Sequence, residues 1–123
     1  MEIRHPHPWP QTFTEARVLQ ERLARRVRVR PLNKAVRRIA GCDVSYTRGD
    51  ARFFAAVVVY DLQGGTVLEI ATNVGEAPFP YVPGYLSFRE LPTLLDAFRA
   101  LRVRPDCLMF DGQGIAHPRR FGL

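Results

Sequence analysis

Three carboxylates stand where their chemistry is conspicuous: Asp43, Glu90 and Asp111. Asp43 interrupts the apolar run IAGCDV, inside what reads as a strand, where aspartate is disfavoured. Asp111 closes the apolar run CLMF and opens DGQGIAHPRR, and Glu90 lies near the start of a helical stretch. If the strands bearing Asp43 and Asp111 are neighbours, the three acids can converge. Hard oxygen ligands of this kind suit Mg²⁺ or Mn²⁺, which can activate water against a phosphodiester. Each acid also has a plainer reading. Asp43 can bind local backbone, Glu90 can complete a capping box with Ser87, and Asp111 can serve an Asp-Gly turn. For Glu90 the capping and metal roles exclude one another in a single side-chain orientation.

The elements that must position these acids can be read in order. Pro6, Pro8 and Pro10 make residues 1–11 an extended arm, which Trp9 is able to pin to the body. Thr12 and Glu15 form a capping-box pattern, and Ala16, Leu19, Leu23 and Val27 recur at helical spacing, predicting a helix that Pro31 ends. Three strand-like runs follow, RRIAGCDVSY, ARFFAAVVVY and TVLEIATNV, joined by the turns TRGD and DLQGG. Such short glycine-bearing links predict an antiparallel three-stranded meander. The second run is apolar at successive positions, which predicts a central strand covered on both faces. After the proline- and aromatic-rich stretch EAPFPYVPGYLSFRE comes a second helix with Leu91, Leu94, Leu95, Phe98 and Leu101 on one side. The last strand, Asp106 to Asp111, is then reached by a helical crossover and is expected to run parallel to an earlier one. The expected class is α/β, a mixed sheet in a single domain.

At 123 residues and 46% hydrophobic content there is room for one core, with no run near the ~20 apolar residues that cross a bilayer. The opening MEIRHPHPWP lacks the apolar centre of a secretory signal, so a cytoplasmic setting without a membrane partner is expected. Cys42 and Cys107 each sit in an apolar run and read as reduced core residues. The net charge is +6, and residues 1–38 hold ten Lys or Arg against three acids, while the remainder holds eight against nine. Seventeen of those eighteen cations are arginine, a residue suited to bidentate phosphate contacts. The basic front half reads either as a solvated helix face or as a polyanion-binding surface. Arg119 and Arg120 suit phosphate contacts in the same way, and Arg89 either contacts backbone or pairs with Glu90.

Three segments, AGCDVSY, FPYVPGYLSFRE and FDGQGIAHPRR, resemble hallmarks of the endonuclease V family, which cleaves nucleic acid near deaminated purines such as hypoxanthine. The likeness runs from about Trp9 to Leu123. It implies an RNase H-like fold and Mg²⁺- or Mn²⁺-dependent hydrolysis of the second phosphodiester bond 3′ to inosine or deoxyinosine in DNA or RNA. By this resemblance Asp43, Glu90 and Asp111 fall on the metal-binding acids, and Tyr81 on the tip of a strand-separating wedge. Gly84, Gly112, Gly114 and Ile115 would line the pocket for the extruded base. His117 would stand beside the metal, orienting water or phosphate or ligating through a neutral imidazole, unless it only caps the loop at Pro118. The family pattern continues past RRFGL with further site residues, so the chain is expected to be the N-terminal portion of such a domain, a monomer where the fold is whole. A non-catalytic nucleic-acid-binding remnant, or a fragment needing a partner chain, is the alternative.

Overall fold

The computed structural model describes residues 1–47 and 49–123. Helix α1 spans Phe13–Ala24. Thr12 caps it, its Oγ1 accepting from the Glu15 N–H at 3.2 Å, while Glu15 Oε2 reaches back to the Gln11 N–H at 2.8 Å. The reciprocal bond therefore lands one residue before the cap. The helix ends seven residues earlier than Pro31 would require. Four of residues 25–30 are arginine, and Val27 lies beyond the helix and is exposed, so no buried stripe holds those residues against like-charge repulsion.

Strands β1 (Arg38–Tyr46), β2 (Arg52–Asp61), β3 (Thr66–Glu76) and β4 (Cys107–Phe110) form one sheet in the order β3-β2-β1-β4. The β1–β2 and β2–β3 pairs are antiparallel, and β4 lies parallel to β1. The meander and the crossover strand are as expected, though β4 is shorter at both ends. Of the predicted TRGD turn, Arg48 lies outside the described residues. Backbone-binding carboxylates fix the turns and the register. Asp61 Oδ1 accepts from the Gln63 and Gly64 N–H in the β2–β3 turn, at 2.9 and 3.1 Å. Asp106 Oδ2 accepts from the Arg37 and Arg38 N–H, at 3.2 and 2.9 Å, just where β4 joins β1. These bonds hold both carboxyl groups below the usual carboxylate range.

Helix α2 (Leu86–Ala100) is the crossover and packs over β1, β2 and β3. Leu94, Ala97 and Phe98 meet Ala40, Val44, Phe53, Val57 and Val59 in the main core. The expectation that β2 is covered on both faces is overturned. Its residues alternate, and on the far face Phe54 is 42% exposed beside Val74 and Ile70 of β3, at 58% and 62%. An apolar sequence therefore does not oblige both faces to be buried within this chain. A second, smaller cluster of Ala16, Leu19, Phe79 and Phe88, with Trp9 against it, fastens α1 and the arm to the loop before α2. No helix among the described residues is long and apolar enough to cross a membrane.

One contact sets how closely α2 approaches the sheet. A Cβ on Gly75 of β3 would sit 2.7 Å from Thr93 Oγ1, and Thr93 is buried. Gly75→Ala is expected to destabilise the chain by about 1–3 kcal/mol through overpacking, and Thr93→Ala in the same chain to recover most of it. Urea denaturation of the two single variants and the double variant reads this coupling, and strictly additive losses would show that the contact does not set the spacing.

Candidate active site

The first turn of α2 differs from the sequence expectation in a way that matters for Glu90. The N-cap is Tyr85, not Ser87, and no side chain caps the helix. Ser87 sits inside the first turn and is buried, so the Ser87–Glu90 capping box does not form. Pro83-Gly84 builds the entry instead, with the Tyr85 N–H donating to Val82 O at 3.1 Å and Gly84 at φ +86°, the type II pattern that proline followed by glycine favours. Pro92 lies within α2, where its missing N–H leaves the Phe88 carbonyl without a helical partner.

Freed from capping, Glu90 is 9% exposed. Burial, then the charge of Asp43 and more weakly that of Asp111, pushes its carboxyl up to about 7, against an opposing pull from Arg89. The β1–β4 pairing thus brings the three predicted acids into one another's field. It does not draw them into a finished coordination set, since no group of three or more His, Cys, Asp or Glu among the described residues is gathered to hold a metal ion. Asp43 is exposed, stands opposite Ala56 of β2, and accepts from the Val44 N–H at 2.8 Å. In donor chemistry the residues fit a hard divalent cation: three oxygen ligands whose mutual repulsion is registered on the buried member. Cys42, beside Asp43, has its thiol pushed up to about 11 by burial and that neighbouring charge, which suits a core thiol rather than a nucleophile.

Next to Asp111 lies a cavity of about 360 Å³ whose wall includes Tyr81, Gly84, Ser87, Asp111, Gly112 and His117. Five of the predicted site residues share it. Gly114 and Ile115 do not. Gly114, at φ +51°, turns the chain into a short 3₁₀ turn, Gly114–Ala116, and Ile115 on that turn is 49% exposed. Tyr81 stands out from its loop, its ring 5.9 Å from the Arg89 guanidinium, and it also borders a second hollow lined by Tyr46, Asp50 and Arg89. Arg89 does not pair with Glu90. Its Nη1 donates to Phe79 O at 3.0 Å and its guanidinium lies 4.8 Å from the Phe53 ring centre, which braces the wedge loop from below.

His117 is buried, and its Nδ1 accepts from the Arg119 N–H at 3.1 Å. In the neutral ring the hydrogen then resides on Nε2, which is buried without a hydrogen-bond partner among the described residues. That tautomer offers a donor and not a metal lone pair, which disfavours the ligating role and keeps the orienting one. Arg119, expected among the phosphate contacts, is committed elsewhere. Its guanidinium bonds Gln20 Oε1 and Gly84 O and lies over the Tyr85 ring. Arg120 is exposed, at φ 57°. Gln20, buried in α1, was missed by sequence reasoning; its only sign was a polar residue adjoining the apolar stripe at Leu19 and Leu23.

A mixed sheet with Asp43 on β1, Asp111 just past the end of its parallel neighbour β4, and a cavity beside Asp111 defines an α/β protein. The family model described as Endonuclease V matches residues 21–123, and the chain belongs to the endonuclease V family. The Endonuclease V of Roseiflexus castenholzii is 49% identical over 117 residues, covering 95% of this chain and 52% of that protein. The crystal structure of the Streptomyces avermitilis Endonuclease V superposes with a TM-score of 0.87 at 46% identity, over 94% of this chain and 51% of the other. The Ciona intestinalis Endonuclease V, in complex with a 24mer DNA containing an inosine followed by a ribo-adenosine, gives a TM-score of 0.73 at 27% identity, over 88% of this chain and 49% of that one. The chain spans about half the length of the curated relatives it matches.

Proposed function

We propose that this chain carries the base pocket and three carboxylates of a metal-dependent endonuclease that hydrolyses the second phosphodiester bond 3′ to a deaminated purine in DNA or RNA. The observation that carries the reading is the cavity that Tyr81, Gly84, Asp111 and His117 line, beside the acid Glu90 that feels the charges of Asp43 and Asp111. Deamination of adenine replaces an amino donor by a carbonyl acceptor, so a pocket whose glycine-bearing walls, at Gly84 and Gly112, offer backbone donors favours hypoxanthine over adenine. Tyr81, exposed and with a hollow on either side, has the placement to fill the gap that an extruded base leaves.

Asp43, Glu90 and Asp111 would hold Mg²⁺ or Mn²⁺. When bound, the ion supplies water activation and charge stabilisation at the phosphodiester. The residues divide the remaining work: Arg120 and the arginines that follow α1 bind backbone phosphate, Tyr81 holds strands apart, and His117 lines the pocket. A cytoplasmic setting with access to nucleic acid accompanies this reading.

A second reading is favoured by the bare sheet face around Phe54, Ile70 and Val74: a chain that binds inosine-containing nucleic acid but needs further polypeptide to cut it. Both are tested with 5′-labelled oligonucleotides that carry inosine or adenine at one position, with and without Mg²⁺. The first reading expects inosine-selective binding and Mg²⁺-dependent scission that Asp43→Ala abolishes. Selective binding with no scission selects the second. Equal binding of both oligonucleotides without scission sinks both.

A further inference from the structure

We propose that Gln20 of α1 is the positioning residue that sets the separation of the two pocket walls and the orientation of His117, an inference that rests on the base-pocket reading above. Gln20 is 1% exposed, although α1 is otherwise a surface helix with a narrow apolar stripe. Its amide is fully engaged by groups distant in sequence. Nε2 donates to Gly84 O at 3.0 Å and to Phe121 O at 2.7 Å, and Oε1 accepts from Arg119 Nε. One carbonyl belongs to the wedge loop and the other to the segment after His117, so a single side chain ties both walls to α1.

The amide has one workable orientation. Flipping it would turn Oε1 toward two carbonyl oxygens and its NH₂ toward a guanidinium, leaving all three contacts repulsive. Arg119 closes the network from the other side. Its Nη2 donates to the same Gly84 O at 2.9 Å, and its backbone N–H donates to His117 Nδ1. The chain of bonds from Gln20 through Arg119 therefore ends on the ring of His117, a residue that lines the cavity. Gly84 fits beneath it only as glycine: besides its φ of +86°, a Cβ there would lie 2.8 Å from Arg119 Nη2 and 3.3 Å from His117 Nε2. A fixed wall separation is what lets a pocket discriminate between bases, because a wall free to shift admits water or a rotated base.

Gln20→Met keeps the side-chain volume and removes all three bonds. In the 123-residue chain, amide hydrogen exchange read by mass spectrometry is expected to quicken about tenfold or more across residues 79–86 and 112–122, with β2 unchanged. By fluorescence anisotropy without metal, the preference for an inosine over an adenine oligonucleotide is expected to fall about tenfold, with affinity for the adenine oligonucleotide held within about twofold. Leu101→Ala, which weakens the main core away from the pocket, serves as the stability-matched control and should retain the preference. If Gln20→Met does not fold, Arg119→Met cuts the same network from the opposite wall and is expected to give the same two changes. Unchanged exchange in both loops, or an equal loss of preference in Leu101→Ala, overturns the proposal. A wild-type chain with no inosine preference overturns the base-pocket reading instead, and the exchange result then decides alone whether Gln20 couples the walls.

Discussion

Glu90→Gln is expected to stabilise the chain by about 2–3 kcal/mol at pH 8 while leaving it nearly unchanged at pH 5. Burial, with the fields of Asp43 and Asp111, raises the folded carboxyl from 4.5 to about 7, so between those values the folded state holds a proton that the unfolded state has released. Stability consequently falls as pH rises through that window, and above pH 7 the whole penalty of a buried charge is present. Glutamine mimics the protonated acid at every pH and removes the penalty. Urea denaturation at pH 5 and pH 8 reads the difference, and an equal gain at both would rule out ionisation as the cause. Adding Mg²⁺ at pH 8 is expected to raise the melting temperature of the wild type and to leave Glu90→Gln where it was. The same substitution is expected to abolish Mg²⁺-dependent scission, a case of stability given up to hold a charge where chemistry needs it.

Phe98→Ala is expected to cost about 3–5 kcal/mol, the usual toll for deleting a fully buried phenylalanine. Domains of this size commonly have only about 5–15 kcal/mol in all. Phe98 lies 1% exposed on α2, packed with Phe53, Val57 and Leu94, and its ring is 5.9 Å from that of Phe110 in β4. A single helix covers the buried face of the sheet, so no second layer stands ready to fill the space. Thermal and urea unfolding of the variant should show a sharp loss. A loss below about 1 kcal/mol would show that the core lies elsewhere or collapses freely.

The sheet order was legible because its signals are local: short glycine-bearing turns between apolar runs, then a helix before the last strand. Asp43 drew notice for a local reason too, an aspartate inside an apolar strand. What the sequence hid was decided between distant segments. Nothing near Arg119 marks it as a clamp rather than a phosphate contact, because its partners Gln20 and Gly84 lie 99 and 35 residues away. The Ser87–Glu90 pattern was a misleading local sign, overridden once Pro83-Gly84 started α2 two residues earlier. Gly114 and Ile115 shared a motif with Gly112 but do not line the cavity that Gly112 borders. The covering of β2 was misjudged because composition reports how apolar a strand is and not how many layers the chain provides.

The bare face of the sheet also makes salt act on this molecule in two opposite senses. With a net charge of +6, copies repel one another in dilute buffer, and any hold of the same arginines on phosphate would be strongest there. Raising the ionic strength to about 0.1 M shortens the reach of that repulsion to about 10 Å and releases the phosphate contacts. Phe54, Ile70 and Val74 are untouched by screening, and sulfate or phosphate salts favour their burial further. Conditions that would detach a polyanion are thus the conditions that let one sheet face find another, and a polyanion that neutralised the arginines would bring the molecule to the same threshold.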